Sequence, residues 1–233
     1  MERAQKAVAV AAMMLLVASI LLTSFQAAIY GDREYRFYEK EYEKYRVADS
    51  LDMEMPDIME VTDHMMAYLI GEEEELSVMT EVDGRNQDFF NDQDRFHMSE
   101  VRDLFLGGLR IRNVLFLSGA VLIGVLFLWK ADVRRILPGA YAAALGIYVL
   151  VTLVLGVLFA SDFNRYFTVF HEIFFDNDLW MFDPARDYMI RMLPQGFFYD
   201  FVIRIGVFFL GGLALGGAAV GLWAFCGRRE KNN

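Results

Sequence analysis

The sequence has 233 residues and one cysteine, Cys226, so no internal disulfide can form. It contains no CxxC pair and no Cys/His cluster, which removes structural zinc and iron–sulfur centres from consideration. Basic residues are scarce: 22 Lys and Arg face 32 Asp and Glu, for a net charge of -10. Nucleic acid is therefore an unsuitable partner, because phosphate neutralisation needs clustered cations. There is no GxSxG elbow, no HExxH spacing and no internal repeat of the kind that builds transporters. What the chain does have is apolar surface, with 56% hydrophobic and 15% aromatic residues. Soluble domains are nearer ~45–50% apolar, and disordered acidic chains have few aromatics. The composition is that of a membrane protein with acidic parts.

A helix crossing the hydrocarbon core needs ~20 mostly apolar residues, and four stretches qualify: 7–29, 114–129, 139–160 and 201–226. The expected fold is an all-α integral membrane protein, four transmembrane helices with an extracytoplasmic cap of helices and loops. Along the chain this gives a first span (1–30), an acidic extracytoplasmic segment (31–111), and spans two and three around a short basic loop (112–160). An aromatic and acidic extracytoplasmic loop (161–200) and a fourth span with a basic tail (201–233) complete it. Lys and Arg are retained on the cytoplasmic side. Arg3 and Lys6, then Lys130, Arg134 and Arg135, then Arg228, Arg229 and Lys231 would all be cytoplasmic, and so would both termini. In segments 31–111 and 161–200 acidic residues outnumber basic ones more than twofold, which sorts the chain into an acidic and a basic face. The first span also resembles a signal peptide ending at Ala27 and Ala28, but its apolar run exceeds the usual ~7–15 residues.

In the fourth span, Gly212 with Gly216 and Gly217 with Gly221 have the small-xxx-small spacing that lets helix backbones approach closely. Inside the four stretches the one charged residue is Arg204, within a turn of the fourth span's outer end where it can snorkel, so no row of charges marks an ion path through the bilayer. In segment 31–111, Tyr35, Tyr38, Tyr42 and Tyr45 share one helical face and predict a helix that continues from the first span. Pro56 opens a second amphipathic helix that carries His64 and ends near Gly71. Glu72 to Glu75 read as a solvated turn.

Asp94 through Arg102 then open a third helix, with His97 on its first turn, where the helix N-terminus would keep an imidazole neutral. From Phe170 to Pro184 aromatic rings and carboxylates alternate without helical or strand period, as in an interfacial or re-entrant loop. His171 sits in that loop. Two of the three histidines thus lie on the same side of the membrane near its interface.

These two segments, together with the four-span layout, resemble the lipoprotein intramolecular transacylase (Lit) family of bacterial membrane proteins. The carrying motifs are His97-Met98-x-x-Val101 and His171-Glu172-Ile173-Phe174-Phe175, followed by Asn177, Trp180, Asp183-Pro184, Asp187 and Pro194 through Phe198. Segment 31–93 matches only in layout. The resemblance implies a diacylglyceryl-modified lipoprotein as substrate and the cytoplasmic membrane as location, with the active site on the extracytoplasmic face. The sn-2 acyl chain would move from glycerol to the α-amine of the N-terminal cysteine, with no cofactor and no metal.

Ester aminolysis needs a base for the amine proton and donors for the oxyanion, and neutral His serves near pH 7. Because donor and acceptor belong to one molecule, proximity replaces a Ser or Cys nucleophile. His97 and His171 are the expected catalytic pair, with the division of roles open between them. Arg102, Glu172, Asn177, Asp183 and Trp180 are candidates to orient the imidazoles, donate to the oxyanion or contact the membrane lipid. Two rival readings stand beside this one. A metal-dependent membrane hydrolase would take His97, His171 and a carboxylate such as Asp183 as ligands, and a non-enzymatic scaffold would use the acidic segment to bind a partner.

Overall fold

The structure, a computed structural model, describes residues 2–229. Lys231 of the basic tail lies outside them, and for Arg228 and Arg229 only the helical backbone is described. Four long helices carry the apolar stretches: α1 (Glu2–Tyr30), α5 (Asp92–Leu128), α6 (Val133–Ser161) and α9 (Gln195–Arg229). Each extends beyond its apolar run. Between them lie α2 (Arg36–Lys44), α3 (Val47–Leu51), α4 (Met55–Ile70), strands β1 (Met79–Val82) and β2 (Arg85–Asp88), α7 (Phe163–Phe174) and α8 (Tyr188–Met192). The chain divides into two compact units, one of Met1–Ala27, Leu109–Ser161 and Ile205–Asn233, the other of Ala28–Gly108 and Asp162–Arg204.

The first unit is built from the apolar parts of the long helices. Ala9, Met13, Val17, Leu137, Ala144 and Phe209 are buried in its core. Large apolar side chains such as Val121, Leu150, Val157 and Leu215 point outward, an arrangement water would penalise and lipid does not. With four helices of sufficient length and hydropathy, the protein is a multi-pass membrane protein. The small residues of α9 do bring neighbours close: a Cβ on Gly212 would stand 2.6 Å from Ile20, and one on Gly216 3.0 Å from the Tyr141 hydroxyl. Gly221 meets nothing within 4 Å, so its part of the glycine pattern is not a packing contact.

The second unit has its own core, in which Tyr42, Leu51, Ile58, Met65, Phe89 and Met192 are fully or almost fully buried. The tyrosine stripe packs inward: Tyr38 and Tyr42 are buried, and the Tyr42 hydroxyl lies 2.8 Å from Thr62 Oγ1. Its helix does not continue from the first span, however. The chain breaks after Tyr30 and restarts at Arg36, with Tyr35 in the left-handed region at φ 49°. Pro56 falls in the first turn of α4, and Gly71 closes that helix at φ +83°, where glycine is unstrained. His64 is structural, its Nε2 2.9 Å from the Glu75 carbonyl.

A β-hairpin lies in the middle of the acidic segment. Val82 pairs with Arg85 around Asp83-Gly84, both at positive φ as a tight two-residue turn demands. Asp83 anchors it, its backbone N–H donating to Leu51 O and its carboxylate accepting both Arg191 guanidinium nitrogens at 2.8 and 2.9 Å.

Candidate active site

Two helices of the second unit present the imidazoles. α5 begins at Asp92 and not at Asp94, because Asn91 caps it: Asn91 Oδ1 accepts the Asp94 N–H, and Asp94 Oδ2 accepts the Asn91 N–H, each at 3.0 Å. His97 therefore stands on the second turn, well before the apolar run that starts at Val114 and forms the membrane-spanning part of the helix. α7 is capped by Asp162, which accepts the Arg165 N–H. Phe163, Phe167, Phe170, His171 and Phe174 then recur at three- and four-residue steps, so the stretch expected to be an aperiodic loop is helical up to Phe174. The period is visible only when counting starts at Phe163, seven residues before the run that looked irregular.

The two rings meet. Their centres are 5.9 Å apart and nearly parallel, with 27° between planes. Both residues are buried, to 6% and 7% exposure. Phe175 and Phe182 set their edges against His97 at 4.9 and 5.4 Å, while Phe167 and Trp180 lie 4.2 and 4.8 Å from His171. A cavity of about 260 Å³ opens beside the pair, lined by both imidazoles, Val101, Leu104, Trp180 and Phe198 among others.

This dry setting fixes the protonation of both rings. His171 Nδ1 lies 2.7 Å from the Phe167 carbonyl, and because a carbonyl only accepts, the proton is on Nδ1 and Nε2 keeps its lone pair. Burial lowers the proton affinity of His171, and the bond to Phe167 only partly offsets it. Burial also pushes His97 down to about 4, with the neighbouring His171 adding to the effect. Desolvation therefore keeps His97 neutral on the second turn of α5. Its Nδ1 is buried with no hydrogen-bond partner.

Of the other expected site residues, Trp180 alone joins the pair. Asn177 instead donates from Nδ2 to Glu100 Oε1 at 2.8 Å and accepts the Leu179 N–H. Asp183 is exposed and closes a turn, accepting the Ala185 N–H and donating its own N–H to buried Asp187 at 2.7 Å. Arg102 lies over the Tyr68 ring at 4.7 Å and does not line the cavity. Glu172 is exposed on the side of α7 next to the buried face. Among the described residues no three His, Cys, Asp or Glu side chains converge as metal ligands, so Asp183 does not complete a set with the histidines. Sequence reasoning passed over Asp94, fully buried beside Asp187 and pushed up to about 7 by that burial, and Glu100. The Asn91-x-x-Asp94 spacing was the available signal for the first.

Four membrane-length helices and a buried imidazole pair in an aromatic cavity define a helical membrane-integral protein with acid–base groups held dry. The sequence profile of the lipoprotein intramolecular transacylase Lit matches residues 10–198. The chain belongs to that family, and is a lipoprotein intramolecular transacylase by the activity the family carries. Comparison with curated protein sequences gives no match. Among solved structures it resembles the membrane integral lipoprotein intramolecular transacylase Lit from Bacillus cereus, at 21% identity and a TM-score of 0.77 over 99% of this chain and 100% of that one. A variant of that protein with a histidine replaced by arginine matches at 20% identity and a TM-score of 0.74, over 99% of this chain and 96% of the other. At these identities the likeness concerns the fold, and the second structure repeats it.

Proposed function

We propose that the protein moves the sn-2 acyl chain of a diacylglyceryl-modified lipoprotein to the α-amine of the same molecule's N-terminal cysteine. The observation that carries this reading is the pair of neutral, stacked imidazoles at the wall of an apolar cavity. The amine nitrogen attacks the ester carbonyl and a C–N bond forms. The nitrogen's proton passes to the free Nε2 of His171, whose tautomer is set by Phe167. Neutral His97 donates an N–H to the oxyanion, a role that its lowered proton affinity suits. The C–O bond to the sn-2 oxygen then breaks, and the proton held by His171 completes the free hydroxyl. No covalent intermediate is required, because the two reacting groups arrive already tethered.

Trp180, Phe167 and Phe175 keep water from the ester, which strengthens each polar contact inside. Asn177 acts through Glu100, while Arg102, Glu172 and Asp183 stand outside the reacting centre. The flanking Lys and Arg support a topology with both termini cytoplasmic and the histidines at the extracytoplasmic interface, within reach of membrane lipid. The test is expression in a host stripped of its own N-acylating enzymes, followed by mass spectrometry of lipoprotein N-terminal peptides. Acyl on the cysteine nitrogen with one chain left on glycerol is expected; persistence of the diacylglyceryl, free-amine form would refute the proposal.

A further inference from the structure

Beyond its cysteine the lipoprotein substrate proposed above is a polypeptide, and an apolar chamber gives a peptide backbone nothing to pair with. A second cavity, of about 440 Å³, lies in the same unit, and Phe167, Ile190 and Phe198 line both. Those three side chains are a common wall. In the second cavity Ser50 of α3, Asn164 of α7 and Gln195 of α9 present a hydroxyl and two amides. All three residues are exposed, and among the described residues none of these side chains makes a hydrogen bond. Arg191 is the one charged residue of the lining, and Asp83 already holds its guanidinium at 2.8 and 2.9 Å. An anionic headgroup would therefore find no unpaired cation there, and an acyl chain would strip water from the amides without replacing it. A peptide backbone fits, because one side-chain amide can accept its N–H and donate to its C=O. Asn164 stands three residues past the end of α6, and Gln195 opens α9, so both amides come from the ends of membrane-length helices, where a lipid-anchored chain leaves the bilayer.

We infer that this groove binds the peptide segment that follows the lipidated cysteine, with Asn164 and Gln195 pairing with its backbone amides. The inference rests on the lipoprotein substrate proposed above and adds to it the place where the polypeptide lies. The acyl chains occupy the cavity beside the imidazoles, and the peptide crosses the wall of Phe167 and Phe198 into the groove. Because the free groups there are neutral and suited to backbone, the site accepts many peptide sequences and selects for the presence of a chain.

The test compares two substrates in detergent micelles, diacylglyceryl cysteine closed as a methylamide and the same lipid on a cysteine followed by four Gly and Ser residues. A neutral hydrogen bond corresponds to roughly three- to tenfold, so two of them should give the peptide substrate an advantage of about tenfold or more in kcat/KM. The advantage should lie in KM, as it does for contacts made equally in the ground and transition states. In the double variant Asn164→Ala, Gln195→Ala the ratio of the two substrates should fall towards one. A ratio of one in the wild type, or a ratio unchanged in the variant, overturns the groove assignment and leaves the lipoprotein reading intact. Cross-linking of the wild-type protein gives a measurement that needs no variant to fold. A diazirine on the third residue after the cysteine should label segments 45–50, 163–167 or 190–198. Labelling of other segments, or labelling of the groove by a diazirine at the end of the sn-1 chain instead, overturns the assignment. Turnover of neither substrate by the wild type overturns the lipoprotein reading and this inference with it.

Discussion

Truncating His171 to alanine should remove the base while leaving its surroundings in place. The side chain bonds only to a carbonyl of its own helix, one turn back, so its loss frees no distant partner. Phe167, Phe175 and Trp180, with ring centres 4.2, 5.6 and 4.8 Å from the imidazole, would remain as walls of an imidazole-sized void. General base catalysis contributes about 10²–10⁴-fold. At 1.36 kcal/mol per tenfold, His171→Ala should raise the barrier by about 3–5 kcal/mol. The assay is conversion of a synthetic diacylglyceryl lipopeptide by purified protein in detergent micelles, followed by chromatography and mass. Added free imidazole should refill the void and recover part of the rate, with recovery following the neutral fraction of imidazole as pH changes. A stably folded variant that still turns over substrate at close to the wild-type rate would refute the role given to His171.

Asp94→Asn should stabilise the protein at pH 8. Burial raises the Asp94 carboxyl to about 7 from 3.8, so it adds stability only in acid and loses it as pH rises through that window. The ceiling is about 4 kcal/mol at 1.36 per unit, and with the Asn91 bond kept by the amide a gain of ~1–3 kcal/mol in thermal unfolding is expected. The gain should shrink towards pH 4, and a gain over the wild type no larger at pH 8 than at pH 4 contradicts the burial of a charged Asp94. Gly196→Ala places a Cβ against the Tyr45 ring, inside van der Waals contact, and should lower stability by about 1–3 kcal/mol; an unshifted melting temperature would mean the two do not touch. Tyr42→Phe loses a buried bond to Thr62, whose hydroxyl still donates to Ile58 O. Its cost should be ~1 kcal/mol, measured by the same melting experiment, and a cost near zero would place that hydroxyl in contact with water.

The spans were legible because bilayer thickness is a length requirement, and a run such as 139–160 meets it without help from tertiary structure. The tyrosine stripe was legible in the same way, as periodicity, although the break at Gly31 to Tyr35 was not. The hairpin was missed despite Asp83-Gly84, since its strands are only four residues long and half polar. Reading Phe170–Pro184 as one aperiodic run hid the end of α7, because the helical signal lies upstream of it. The histidines were legible as residue types near one interface, but their contact depends on α5 and α7 packing together. Protonation was farthest from reach. A sequence shows where a helix starts, but not that His97 lies among Phe175, Phe182 and His171, and that enclosure keeps it neutral. Asn177 and Asp183 belong to the motif, and neither bonds an imidazole: Asn177 donates to Glu100 and accepts the Leu179 N–H, and Asp183 accepts the Ala185 N–H.

Acyl transfer within one lipid bound beside two imidazoles keeps donor and acceptor on the same molecule. Purified protein given a lipopeptide with an isotopically labelled sn-2 chain, mixed with an unlabelled lipopeptide of different peptide mass, tests it directly. Label is expected on the cysteine nitrogen of the labelled peptide alone. Label released as free fatty acid, or found on the second peptide, would contradict it.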